Sequence, residues 1–301
     1  MVDEFLREEC QVSSFNSICR QIENKMDKID IPELHRIWEI EMGILDVIDK
    51  VCRENGLKYS LAYGSMIGAV RHGGFIPWDD DMDIWMLRED YDKFIEIWEN
   101  NPVDGYFLLR QETSPEYPQN FTKIRKCNTA FVSAGEENTN YHHGIFVDIF
   151  PMDDVANDNF KAKLQGYCAL FYMLYCRGYA STRDGKLMYW GGRLLLDVMP
   201  NTLKKKLKSF FFKRMTKYNG ADSKRVACFV TAPDSFIYYD KELFYEYDDV
   251  KFDTHVYMCN KDSDTLLRSY YGDYMKLPPI EERVLKHHPV IVDFEKEYWA
   301  K

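Results

Sequence analysis

Two aspartates separated by one apolar residue, Asp81-Met82-Asp83, are the residues of this sequence best suited to chemistry. On a strand, alternate side chains share a face, so both carboxylates would point one way while Met82 and Ile84 point into the core. Like charges held together beside a core repel, and a cation resolves the repulsion. Hard oxygen donors suit Mg²⁺ or Mn²⁺ rather than zinc. The competing reading is an exposed acidic turn, because Asp79 and Asp80 extend the run backwards as either supporting acids or plain loop residues. Gly64-Ser65 favours the first reading. It follows a predicted strand and opens a predicted helix, where free backbone N–H groups suit an anion such as phosphate. A third acid, Asp148, lies alone in the otherwise apolar segment 144–150, as a metal ligand, a base toward an attacking hydroxyl, or a salt-bridged structural aspartate.

These groups need a frame. Ile31-Pro32-Glu33 reads as a helix start, and Leu34, Ile37, Trp38, Ile44, Leu45, Ile48 and Cys52 recur on one helical face until Asn55-Gly56 stops it. Strands are expected over 58–62, 81–87, 106–111, 121–126 and 144–150, with a short helix from Gly64-Ser65 through Val70 and a longer one over 89–100. Residues 158–219 read as helical, and the tail carries expected strands near 225–230 and 250–258 and a helix near 263–271. The pattern predicts an α+β fold. We divide it into an N-terminal extension (1–32), a catalytic core (33–155), a helical region (156–225) and a C-terminal part completing the catalytic domain (226–301).

Composition narrows the partners. A net charge of -10 argues against general nucleic-acid binding, which needs a basic footprint, but leaves room for a locally basic site that takes a small anion. The 8 cysteines form no C-x-x-C pair, as expected of reduced thiols in a cytoplasmic protein. No signal-peptide pattern is read at the N-terminus, and the most apolar stretch, 167–175, is far short of the ~20 residues of a membrane span. Residues 203–217 are basic and apolar on an otherwise acidic chain, which reads either as an amphipathic helix for anionic lipid or as a solvated helix packed by its phenylalanines.

A Gly-Ser turn followed by Asp-apolar-Asp on the next strand is the pattern of the polymerase-β-like nucleotidyltransferase superfamily. Residues 63–84, YGSMIGAVRHGGFIPWDDDMDI, closely resemble the signature of the LicD family of bacterial phosphocholine transferases, distantly similar to the fukutin-type ribitol-phosphate transferases. The resemblance continues at 88–91, at 146–153 (FVDIFPMD) and at 271–279 (YGDYMKLPP), followed by Arg283 and His287-His288. Ser65 stands where the family usually has threonine, which keeps the hydroxyl.

The resemblance implies a nucleotidyltransferase core with a mixed sheet and a helical insertion. It implies a CDP-alcohol donor, CDP-choline favoured, and a hydroxyl of a cell-surface glycan or teichoic-acid precursor, free or lipid-linked, as acceptor, with CMP leaving. On this reading Asp81, Asp83 and Asp148 hold Mg²⁺ or Mn²⁺, and Gly64 and Ser65 cradle phosphate. Arg71, Lys123 and Arg125 clamp phosphate, with solvated surface positions as the alternative for the last two. Tyr63 and Trp78 are the candidates for a choline cage. The expected location is the cytoplasm, at the inner membrane face if 203–217 docks there. Two rivals stay open: a nucleoside-triphosphate-dependent nucleotidyltransferase releasing pyrophosphate, and a non-catalytic membrane-docking scaffold.

Overall fold

A computed structural model describes residues 31–180, 186–230 and 236–300; the N-terminal extension expected over residues 1–32 lies almost wholly outside them. Helix α1 (Ile31–Glu54) presents the apolar stripe read from the sequence, and Gly56, at a φ of 67°, turns the chain out of it. Strand β1 (Ser60–Leu61) is shorter than expected: Ala62 stays extended and donates its N–H to Asp83 O, and Tyr63, at a φ of 43°, turns the chain into the one-turn helix α2 (Tyr63–Ile67). That helix does not run regularly through Val70 as expected. It widens into a π turn over Gly68–His72 that ends on Gly73 at a φ of 72°.

Strand β2 (Asp83–Leu87) leads into α3 (Arg88–Asn100), β3 (Tyr106–Leu109), β4 (Thr122–Lys126) and β5 (Ala130–Ser133). Strand β6 (Phe146–Val155) is buried along all 10 residues and runs five residues beyond its expected end. Pro151 interrupts the ladder there, since proline cannot donate to it. It is tolerated because it falls at a seam. On one edge β4 pairs antiparallel with β6 over Phe146 to Ile149, and β7 (Arg225–Cys228) takes over from Met152 to Val155. On the other edge β2 runs parallel to β6 over Asp148 to Met152, and β1 and β3 close the ends of the order β1-β2-β6-β4-β3.

Three helices, α4 (Asn159–Arg177), α5 (Lys186–Asp197) and α6 (Asn201–Met215), follow β6, and α4 and α6 pack with Val155, Ala227 and Phe229 into a second core. The short β8 (Tyr239–Asp240) pairs with β7. The strand expected over 250–258 is instead a hairpin of β9 (Tyr247–Phe252) and β10 (His255–Asn260), broken where Asp253 adopts a φ of 55°. Helix α7 (Ser263–Tyr271) then leads to β11 (Pro289–Asp293), which pairs with β5 and brings the C-terminal block back over the core. The fold is the expected mixed-sheet α+β architecture. The six cysteines among the described residues form no disulfide.

Candidate active site

The acidic residues meet where β2 and β6 begin. Asp83 stands directly opposite Asp148 in the parallel register, and the Asp148 N–H donates to Met82 O at 2.9 Å. Asp83 is the first residue of β2, and Asp81 lies just before the strand in the approach loop. The Ser65 hydroxyl accepts the Asp83 N–H at 2.8 Å, so it fixes the start of β2 from the neighbouring helix α2. Gly64 is required by the same packing: a Cβ there would lie 2.5 Å from Asp79 Oδ2.

Charge in the site is unbalanced. Asp148 is not the lone acid of the sequence reading: Lys123 Nζ sits 2.6 Å from its Oδ1, the salt-bridged alternative. Asp80, wholly buried, accepts the backbone N–H groups of Lys286 and His287 and faces His287 Nδ1 at 3.2 Å. Asp79, Asp81 and Asp83 have no such cation to themselves. Burial and then mutual repulsion push Asp79 and Asp83 well above the usual carboxylate range, and burial raises Asp81. Asp83 Oδ1 is buried without a hydrogen-bond partner. His287 is raised: burial works against its charge, and the contact with Asp80 and the field of Asp81 outweigh it.

Glu41 of α1 joins this cluster and went unread. It is 1% exposed, its Oε2 has no partner, and burial followed by Asp81, Asp80, Asp79 and Asp83 raises its pKa well above normal. The signal was present, since Glu41 occupies the centre of the apolar stripe Leu34, Ile37, Trp38, Ile44, Leu45, Ile48, where an acid is costly. A buried excess of carboxylate with an orphaned oxygen and hard donors fits a divalent cation. The ligand atoms of Asp80, Asp81 and His287 lie within 4.8 Å of one another, a tighter group than the expected Asp81, Asp83 and Asp148 trio, which does not meet that spacing. A second group, Cys127, His142 and Glu297, reads as a clamp on the tail. His142 Nδ1 accepts the Gly144 N–H at 3.0 Å, which leaves the ring proton on Nε2, facing Glu297 at 3.5 Å, with no lone pair for a metal.

Lys123 and Arg125 share one face of β4, as expected, and both are buried, which excludes the solvated alternative. Lys123 lies 3.4 Å from the Phe146 ring centroid, and Arg125 donates to Gly144 O at 2.7 Å while its Nε has no partner. Arg71 donates to Tyr274 O and neighbours Arg283, and burial and then that like charge lower its pKa. Neither cage candidate presents an open ring. Tyr63 packs edge-on against Trp85, Phe150 and Tyr270, and the guanidinium of Arg283 already lies 5.3 Å over Trp78. Tyr271, at the end of α7 and 42% exposed, is the aromatic that feels the charges of Asp83 and Asp79.

The family model described as LicD/FKTN/FKRP, nucleotidyltransferase domain, matches residues 56–169, a span holding the Gly64-Ser65 turn, β2, β4 and β6. This segment is a LicD-type nucleotidyltransferase domain. The chain is 29% identical over 263 residues to the lipopolysaccharide cholinephosphotransferase LicD of Haemophilus influenzae, covering 82% of this chain and 92% of that protein. It is also 51% identical over 35 residues to the human ribitol 5-phosphate transferase FKRP, 12% of this chain and 7% of that one. The LicD resemblance therefore extends beyond the motifs, and the domain sits on the sheet that carries the acidic cluster.

Proposed function

We propose that this LicD-type phosphotransferase moves a phospho-alcohol, phosphocholine in the favoured case, from a CDP-alcohol to a hydroxyl of a cell-surface glycan. The acceptor is a lipopolysaccharide, capsule or teichoic-acid precursor. The observation that carries the reading is the surplus of buried carboxylate where Asp83 faces Asp148, in a chain that matches a cholinephosphotransferase over most of both lengths.

On this reading Asp81 and Asp83, with Asp148 on the neighbouring strand, would close on Mg²⁺ or Mn²⁺ once it is bound, and His287, paired with Asp80, reaches Asp81 at 3.9 Å. When bound, the ion neutralises the donor diphosphate and polarises the phosphorus under attack. The protein's own groups do the rest by position and charge. Lys123 Nζ holds Asp148 Oδ1 at 2.6 Å, and the other carboxylate oxygen takes the acceptor hydroxyl's proton. The acceptor oxygen bonds to the alcohol-bearing phosphorus as the bond to the CMP oxygen breaks. Arg71 and Arg283 face the departing phosphate with positive charge, and Arg125 supports Lys123 from the same strand face. Tyr271 offers its ring to the cationic head group. Gly64 and Ser65 hold β2 and Asp79 in register beneath the diphosphate. The free thiols fit the cytoplasm, where we place the reaction.

A thermal-shift panel in Mg²⁺ tests the donor: CDP-choline, CDP-ethanolamine, CDP-ribitol, CDP-glycerol, CTP and ATP. A ligand at 100 times its Kd adds about 2.7 kcal/mol, a rise of several degrees. One CDP-alcohol should raise Tm, and the rise should vanish in Asp81→Asn/Asp83→Asn. A rise for a nucleoside triphosphate alone would replace this reading with the pyrophosphate-releasing one.

A further inference from the structure

Helix α4 is apolar on two sides. One side, with Ala162, Ala169, Tyr172 and Cys176, is buried on the second core. On the other, Phe160, Leu164, Tyr167 and Phe171 recur at four-, three- and four-residue spacing and stay exposed, Phe160 at 76%. Soluble surfaces rarely carry so continuous an apolar stripe without an occupant. The stripe continues onto α6, where Phe171 stacks on Phe211 at 4.9 Å and Phe211 meets Phe210 at 5.4 Å. The outward face of α6 then alternates apolar and basic groups: Leu203, Lys206, Phe210 and Lys213 fall at three- and four-residue spacing, opposite the buried Met215, and the exposed Lys217 follows just past the helix end. Helix α5 adds Trp190 and Leu194, each more than 60% exposed.

Charge decides the occupant. Residues 159–217 contain thirteen Lys and Arg against two Asp, a net of +11 inside a chain whose total is -10. A second copy of so acidic a chain gains nothing by setting two +11 regions against each other, and a nucleic acid would leave the apolar stripe wet. An anionic lipid surface satisfies both features, taking the apolar side chains into the headgroup boundary while the lysines face its phosphates. Among the described residues no helix is long and apolar enough to cross a membrane, so the contact is in the plane of the surface.

We propose that α4, α5 and α6 form one membrane-docking face for an anionic bilayer, with the α4 stripe as its inserted element and α6 as its electrostatic one. It differs from docking by residues 203–217 alone, because those residues supply charge while the continuous apolar stripe lies on α4. The face does not depend on the transferase reading.

The test is sedimentation of the full chain with vesicles of phosphatidylcholine alone and of phosphatidylcholine with a third phosphatidylglycerol, at low and physiological salt. Three proteins are compared: wild type, Lys206→Gln/Lys213→Gln/Lys217→Gln, and Phe160→Ser/Leu164→Ser. The substituted side chains are all exposed, and unchanged far-UV circular dichroism and Tm confirm that each variant folds. The expected result is binding to the phosphatidylglycerol vesicles at least tenfold tighter than to phosphatidylcholine. Both variants should lose it at physiological salt, and Trp190 fluorescence should shift to the blue in wild type and not in Trp190→Phe. Binding that survives Phe160→Ser/Leu164→Ser would reduce the face to plain polyanion attraction and overturn the proposal. So would a dimer in solution that the same apolar variant dissociates, which would put a second copy on the stripe.

Discussion

Asp83 sits 9% exposed with an unpartnered oxygen, and Asp81, Asp148 and Asp79 all oppose its ionisation after burial has done so. Such a group destabilises the metal-free fold at neutral pH, as functional carboxylates often do. Asp83→Asn removes the charge and keeps the shape. It should raise Tm in EDTA, by an amount corresponding to about 1–3 kcal/mol, and abolish the further rise that Mg²⁺ gives the wild type. Calorimetry in EDTA and in Mg²⁺ checks both. Tyr271→Ala should raise KM for CDP-choline about tenfold with a smaller change in kcat, and affect CDP-glycerol, which has no cationic head, far less. At this scale Asp148 drew notice as an acid within an apolar run, and Asp81 and Asp83 through an alternate spacing that puts both carboxylates on one face of a strand. Glu41 was passed over because its helix was read only for its apolar members, and Tyr271 because a ring's exposure is set by folding.

The elements were legible where period and punctuation agreed, as in α1 with its Asn55-Gly56 stop or α3 with Tyr91, Phe94, Ile95 and Trp98 on one side. They failed where tertiary pairing overrode local rules. Pro151 is an argument against a central strand until β4 and β7 are seen to exchange places beside it. The end of α2 is another case. Gly68 has ordinary helical backbone angles, yet a Cβ there would run into Gly74 O, so the π turn that carries Arg71 and His72 can close only on a glycine. Gly68→Ala should therefore cost about 1–3 kcal/mol, as overpacking does, against the small gain that alanine brings to an unencumbered helix. Urea unfolding with an unchanged m-value would establish it.

Across the whole molecule two sets of buried groups pull the pH dependence in opposite directions. Asp79, Asp83 and Glu41 have raised values in the fold, so the stability they contribute is present below their unfolded pKa and is lost as pH rises toward the folded ones. Burial lowers His72 and His142 from 6.5 to about 4, so the unfolded chain takes up protons first and stability falls as pH drops across that window. In EDTA, Asp79→Asn/Asp83→Asn should therefore lose Tm more steeply than the wild type between about pH 6.5 and 4, where the carboxylates of the wild type offset the histidines. Parallel Tm curves would contradict this assignment. The α+β class was legible at this scale from alternating elements, and the mixed sheet from the resemblance carried by residues 63–84. The return of the C-terminal block over the site, through β11 on β5 and His287 on Asp80, was not, since long-range pairing leaves no local mark.

The central claim is divalent-metal-dependent transfer at the Asp81–Asp83 site, and the initial rate of CMP release from CDP-choline with a lipopolysaccharide acceptor tests it most directly. Wild type in Mg²⁺ should release CMP, and both EDTA and Asp83→Asn should lower the rate on the order of 100-fold or more. Release that persists in EDTA, or an Asp83→Asn rate equal to wild type, would contradict the account.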